Sequence, residues 1–335
     1  MGKSICNVET TGITECFSKP PYYVCRVSDQ KGRQSHGIIS LINYRYFREK
    51  IIPHEKVSSD KVEMYVRELK ENNKLINPII LFYKQSNNIN SIIEKAVKSK
   101  PDWNFCKKNA FYQIWKLNDH SICLLLGQYL ADISRFYIAD GHHRASALNI
   151  AFDQKNPFYL SYILHEKELQ LSKNDRFFDI RDIDEDKILN KIKKRFILKP
   201  IESRFDNCSL NNTCLYLKRH WYEILPRDFL ESADPYTVSS HLEDIVADVQ
   251  KGTHSDFNEK VCYIAGKDSV VEIEHICRSR GFGLCLCLPS ITFQDLYETT
   301  ESSSLFPLHS TYLGPKLPNN LFCQDLKKSD VRVCL

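Results

Sequence analysis

Residues 136–148 gather unusual chemistry in a short space: Phe136-Tyr137-Ile138-Ala139-Asp140-Gly141-His142-His143-Arg144-Ala145-Ser146-Ala147-Leu148. The apolar run Phe136 to Ala139 has the length of a buried strand. Asp140-Gly141 is a turn signal. From His142 the pattern is helical, with Ala145, Leu148 and Phe152 on one face. A strand that turns sharply into a helix offers backbone N–H groups and the positive end of the helix dipole, which together attract an anion. His142, His143 and Arg144 add three side chains able to carry positive charge there. Gly141 lets the backbone approach a ligand closely. Asp140 can cap the helix or hold a metal ion beside a phosphate. The chemistry this predicts is phosphate handling. An ordinary helix cap also uses Asp, and paired His residues also occur in cores and on surfaces. A cap alone does not call for two imidazoles and a guanidinium together. A metal cage of Asp140, His142 and His143 is disfavoured, because adjacent side chains on a helix point roughly 100° apart.

Two other stretches carry candidate chemistry. In Ile51-Ile52-Pro53-His54-Glu55-Lys56-Val57, Pro53 breaks regular structure and puts His54 and Glu55 in a loop. Leu308-His309-Ser310-Thr311-Tyr312-Leu313-Gly314-Pro315-Lys316 combines small hydroxyls, an aromatic, a turn and a lysine. As a loop it could touch a substrate through Ser310, Thr311, Tyr312 and Lys316, or it could be an ordinary polar loop.

The elements that must position these residues alternate. Tyr22 to Val27 and Gly37 to Ile42 flank Gln30-Lys31-Gly32 as a hairpin. Val62, Tyr65, Val66 and Leu69 recur at helical spacing after Asp60, and Asn72-Asn73 ends that helix. Pro78 to Tyr83 reads as a buried strand, 91–97 as a short helix and Phe111 to Leu117 as an alternating strand. Ser121 to Ile133 reads as a helix, and Phe158 to Leu164 as the strand after the 142–152 helix. This alternation predicts an α/β layer architecture of mixed α+β character. Residues 1–20 read as a loose arm and 21–165 as the core carrying the turn. Residues 166–205 are dense in both charge signs and read as a solvated connection with a helix near 184–195. Residues 206–335 read as a second α/β portion, with strands near 213–218, 261–265 and 283–288 and helices near 239–250 and 269–279.

Composition bounds the partners. The 335 residues are 42% apolar and 26% charged, which is globular, and the net charge of +4 is well mixed. No concentrated basic face suggests a nucleic-acid partner. No run of 18 apolar residues suggests a membrane span. The 13 cysteines are odd in number and include no C-x-x-C pair. With no apolar signal core at the start, they read as reduced thiols in a cytoplasmic protein.

Tyr137-Ile138-Ala139-Asp140-Gly141-His142-His143-Arg144 resembles the signature of the uncharacterised DUF1015 family. Gly37-Ile38-Ile39 through Tyr44, His54-Glu55-Lys56, Pro78 to Tyr83 and Trp115 keep that family's order and spacing. Ser310-Thr311-Tyr312 with Pro315-Lys316 is similar to its C-terminal motif, so the resemblance covers roughly residues 20–325. On this reading the family's usual N-terminal portion has no counterpart here. A Thr-His-Arg segment of many relatives stands as Asn174-Asp175-Arg176, and His309 stands where relatives often have Lys.

A wider resemblance links the His-Glu loop and the Asp-Gly-His-x-Arg turn to the ParB/sulfiredoxin-like fold and its free serine kinases, with 84–135 as an insertion. That resemblance implies Glu55 as base, with His54 orienting it or binding substrate. It implies Asp140, Gly141, His142, His143 and Arg144 as holders of nucleotide phosphates, and Asp140 as holder of Mg2+ through phosphate. The implied reaction moves phosphate from ATP or ADP to a small hydroxyl compound, free L-serine giving O-phosphoserine. An alcohol is a poor nucleophile near neutral pH, so a carboxylate that accepts its proton assists attack. The alternative is a nucleotide-binding switch or scaffold of ParB-like fold without phosphotransfer, which would act through nucleotide-dependent assembly such as a homodimer.

Overall fold

The computed structural model describes residues 18–334, apart from 85, 108, 152–157, 202–212, 228–234, 251–259, 267–268 and 328–329. Residues 1–17 of the expected arm and Phe152 lie outside the described residues. The chain is mixed α/β and divides into two compact units. One runs to Gln170 and takes in Leu313–Leu335, and the other is Leu171–Tyr312.

In the first unit, β1 (Ser18–Ser28) and β2 (Gln34–Asn43) form the expected hairpin. There follow α1 (Phe47–Lys50), β3 (Ile51–Ile52), α2 (Ser59–Asn72), β4 (Lys74–Ile76), β5 (Ile79–Tyr83) and α3 (Asn87–Ala96). Then come β6 (Trp103–Lys107), β7 (Ala110–Leu117), α4 (His120–Asp132), β8 (Phe136–Asp140), α5 (His142–Ala151) and β9 (Phe158–His165). Among the described residues, eight strands make one sheet in the order β3-β8-β5-β9-β2-β1-β7-β6. The pairs β3–β8 and β5–β9 are parallel, and the others antiparallel. Both β5 and β9 are buried along their whole length. Their near-continuous apolar runs are what a strand covered on both faces requires. Helix α2 carries Asp60 in its first turn, where a carboxylate suits the dipole, and ends on Asn73 in the left-handed conformation at φ 49°. It packs along α5.

The second unit corrects the reading of 166–205 as a solvated connection. Here β10 (Gln170–Phe178) is buried from Lys173 to Phe178. Its charges have partners distant in sequence: Arg176 Nε donates to Glu243 Oε1 at 2.5 Å, and Asp175 Oδ1 accepts the Leu288 N–H at 3.2 Å. Lys173 lies 3.5 Å from Asp175. Charge density in sequence does not separate a wet face from a paired, buried network. Helix α6 (Glu185–Arg195) matches expectation, with Ile188 and Ile192 buried. After it come β11 (Phe196–Pro200), β12 (Cys214–Leu217), β13 (His220–Pro226), α7 (Pro235–Gln250) and β14 (Val261–Ala265). They are followed by α8 (Val270–Arg280), β15 (Leu284–Cys287) and α9 (Phe293–Glu301). The sheet order is β11-β13-β12-β15-β10-β14.

The chain does not stay in a single C-terminal portion from 206 to 335. After β16 (Thr311–Gly314), β17 (Phe322–Asp325) and β18 (Asp330–Val333) belong to the first unit, where β17 lies between β18 and β4. The buried Gln324 fastens this tail. Its Nε2 donates to the Phe158 carbonyl at 2.7 Å and its Oε1 accepts the Leu160 N–H at 2.7 Å. The ladder of β5 on β9 begins only at Ser161. One primary amide thus stands in for the strand that is missing there. No helix among the described residues is long and apolar enough to cross a membrane.

Replacing Gln324 by Leu removes both bonds from buried backbone groups, each of which costs about 1–3 kcal/mol when left unmade. Urea unfolding should show a loss of about 2–4 kcal/mol. A loss below about 0.5 kcal/mol would mean the amide does not hold the tail.

Candidate functional site

Strand β8 ends in an irregularity that aims the site. Ile80 faces Asp140 while Leu81 faces Ile138, so Ala139 is an extra residue on β8. Such a bulge bends the strand and redirects the side chain that follows. Gly141 then reverses the chain at φ +96°, a region that L side chains rarely adopt, and a Cβ there would lie 2.8 Å from Arg144 Nη2. Helix α5 starts with Ala145 N–H donating to the Gly141 carbonyl at 2.8 Å. Its first turn supplies the helix-start dipole expected from sequence.

Both oxygens of Asp140 meet cations. Arg144 Nη2 donates to Oδ2 at 2.8 Å, and Lys316 Nζ donates to Oδ1 at 2.6 Å. Arg144 Nη2 also reaches the Pro78 carbonyl at 3.3 Å. Burial acts to raise the Asp140 carboxyl, but Lys316 and Arg144 outweigh it and hold it below the usual aspartate range. Two cations against one carboxylate leave a positive balance beside the helix start.

The two imidazoles differ from the sequence expectation. His143 Nε2 accepts the Ser58 N–H at 3.0 Å. His142 Nε2 accepts a long 3.5 Å bond from the His54 N–H, and the rings of His54 and His142 stand perpendicular, 4.6 Å apart. A nitrogen that accepts carries no proton, so these rings are neutral. Burial, then Lys61 and Arg144, lower the His143 pKa. They are therefore not cationic donors. They fasten the 54–58 loop to the first turn of α5, and the positive charge at the turn comes from Arg144 and Lys316. The same loop carries Glu55, whose side chain is buried. His54 is fully buried, and this drives its pKa down to about 4 against a hydrogen bond with the Ile138 backbone.

The structure thus brings together His54, Glu55, Asp140, Gly141, His142, His143, Arg144 and Lys316 in one unit. Ser310, Thr311 and Tyr312 belong to the other unit. There the Ser310 hydroxyl donates to the Pro307 carbonyl at 2.8 Å. The carbonyls of Ser310 and Thr311 accept from the Asn174 N–H and Nδ2 at 3.2 and 2.9 Å. Sequence reasoning passed over Lys61, which comes close enough to His143 to affect it from the start of α2. Its only signal was its place six residues after Glu55.

Among the described residues, no group of three or more His, Cys, Asp or Glu is arranged to hold a metal ion. The one carboxylate on the turn, Asp140, fits the way Mg2+ is commonly held, through one or two carboxylates together with phosphate oxygens. A protein-only cage of Asp140, His142 and His143 does not fit, because both imidazoles spend Nε2 on the loop.

The neutral His54 sets a pH dependence. The unfolded chain protonates this residue near pH 6.5, and the folded chain only near 4. The unfolded state therefore takes up a proton first as pH falls. The His54 contribution to stability should be lost between about pH 6.5 and 4, an amount on the order of 3 kcal/mol, with His143 acting in the same direction. Urea midpoints from pH 8 to 4 and the NMR titration of the His54 ring measure this. A ring titrating near 6.5 would contradict it.

The family model described as a protein of unknown function, DUF1015, matches residues 7–249. No curated protein matches the sequence. Among solved structures, a free serine kinase in complex with AMP is similar, with a TM-score of 0.51 at 10% identity over 87% of this chain and 93% of that one. A conserved hypothetical protein from Pyrococcus furiosus is similar with a TM-score of 0.50 at 11% identity, over 87% of this chain and 97% of that one. A mutant of free serine kinase in complex with ADP is similar with a TM-score of 0.50 at 12% identity, over 87% and 94%. At these identities the likeness is one of fold. The matched family model spans well over half of the sequence, and on that ground the chain belongs to the DUF1015 family.

Proposed function

We propose that this chain is a small-molecule kinase that moves a nucleotide phosphate to a hydroxyl, with free L-serine as the acceptor and O-phosphoserine as the product. One observation carries the reading. A buried carboxylate, Glu55, sits in a loop fastened by backbone N–H groups to two imidazoles on the turn best suited to phosphate. The fold shared with a free serine kinase bound to AMP or ADP supports it, as does the ParB/sulfiredoxin-like core that the two motifs suggest.

Phosphoryl transfer is mostly positioning and charge stabilisation. The first turn of α5, with Arg144 and Lys316, would bind the phosphate oxygens, and Gly141 would let them approach the backbone. Asp140 would hold Mg2+, which when bound neutralises charge on the phosphate oxygens. Lys316 then turns from Asp140 towards phosphate. Glu55 accepts the proton of the attacking hydroxyl as its oxygen bonds to the terminal phosphorus. The bond from that phosphorus to the bridging oxygen breaks, and the shortened nucleotide leaves. His54, neutral and packed on His142, positions Glu55.

Purified protein mixed with ATP or ADP, Mg2+ and serine should give O-phosphoserine and the shortened nucleotide. Glu55→Gln should lower kcat by about 10²–10⁴-fold, the usual reach of a general base, with nucleotide affinity little changed. Gly141→Ala should instead weaken nucleotide binding. Full activity in Glu55→Gln would remove that residue from the chemistry. Tight nucleotide binding with no transfer to any hydroxyl acceptor, together with nucleotide-dependent self-association that Glu55→Gln leaves intact, would replace the kinase reading with the switch.

A further inference from the structure

The C-terminal hairpin holds a pair of thiols that the proposed chemistry does not use. Cys323 lies on β17 and Cys334 just beyond β18, and their Sγ atoms are 2.8 Å apart. That is closer than unbonded sulfurs rest, and approaches the covalent separation of about 2.05 Å. The hairpin register explains the meeting. Phe322 pairs with Val333, the Cys334 N–H donates to the Leu321 carbonyl at 2.8 Å, and the two side chains fall on one face. Both residues are only partly buried, and β18 is at the sheet edge. The pair Cys285 and Cys287 makes the contrast. Their sulfurs are 3.7 Å apart and both residues are fully buried, out of reach of a reagent.

We propose that Cys323 and Cys334 form a reversible disulfide by exchange with a small disulfide such as glutathione disulfide, and that the bond staples the tail onto β9. Burial, with the neighbouring Cys334, pushes the Cys323 thiol up to about 11, which makes Cys323 a poor first attacker and leaves that step to Cys334 at the end of the hairpin. The Cys334 thiolate attacks a glutathione sulfur and expels one glutathione thiolate. Cys323 then loses its proton and attacks the Cys334 sulfur, expelling the second. One glutathione disulfide becomes two thiols, and two cysteine S–H bonds become one S–S bond. The hairpin closed in this way carries Gln324, which bonds to Phe158 and Leu160 of β9, and its β17 pairs with β4.

The test equilibrates the reduced full-length chain in glutathione buffers of rising oxidised-to-reduced ratio, quenches with acid, alkylates, and maps peptides by mass spectrometry. A peptide linking Cys323 to Cys334, about two mass units lighter than its reduced parts, should form at a lower ratio than any other cysteine link. Hydrogen exchange of the peptide covering Phe158–Leu164 should slow several-fold on oxidation, and should not change in Cys334→Ser. Both thiols remaining alkylatable, or ending as two separate glutathione adducts, would overturn the disulfide. A linked peptide with unaltered exchange at Phe158–Leu164 would overturn the staple.

Discussion

The carboxylate of Asp140 is the point on which the first unit's chemistry turns. It stands at the end of a buried strand, where a lone negative charge would carry a large desolvation cost. Two cations remove that cost, and they come from opposite directions in sequence. Arg144 is one helical turn away, while Lys316 arrives from the other side of the second unit's sequence. Arg144 does more than neutralise, because the same Nη2 also donates to the Pro78 carbonyl at the mouth of β5 and so ties two strand ends together. Lys316 depends in turn on the tail being in place, so the Gln324 amide supports the charge balance of the turn as well as the sheet.

Neutral imidazoles hold the other half of the arrangement. A protonated ring would repel Arg144 and could not accept from the loop. Burial keeps His54 and His143 in the form that the loop geometry needs. The position of the loop that carries Glu55 is therefore coupled to proton occupancy at His54 and His143. The same design leaves the turn's positive charge to Arg144 and Lys316.

Much of the first unit is legible in sequence because its signals are local. The runs Ile79–Tyr83 and Phe158–His165 are short, apolar and rich in β-branched and aromatic residues, which favours buried strands, and Val62, Tyr65, Val66 and Leu69 mark α2 by spacing. Asp140-Gly141 marks the corner because the backbone conformation there excludes most other residues. What escapes is whatever depends on a distant partner. Lys173, Asp175 and Arg176 look like surface charges until Glu243 and Leu288 are beside them. Residues 322–333 are too short and mixed to announce a hairpin. Their pairing with β4 is a tertiary fact with no local trace. For the histidines, residue type suggested charge, whereas their hydrogen-bond partners make them neutral.

The geometry of the turn departs from that of a simple helix cap. A capping aspartate directs an oxygen at a backbone N–H of the first helical turn. Here Oδ1 and Oδ2 instead lie 2.6 and 2.8 Å from an ammonium and a guanidinium. Capping does not require that arrangement, and it adds rigidity around charges whose sum is positive. An anion arriving at the helix start meets one cation, Arg144, already largely buried and held in position, which lowers the ordering cost of binding. Lys316 is the more exposed of the two cations and the less constrained. It is the group able to exchange one negative partner for another, while Arg144 keeps the strand ends fixed beneath it.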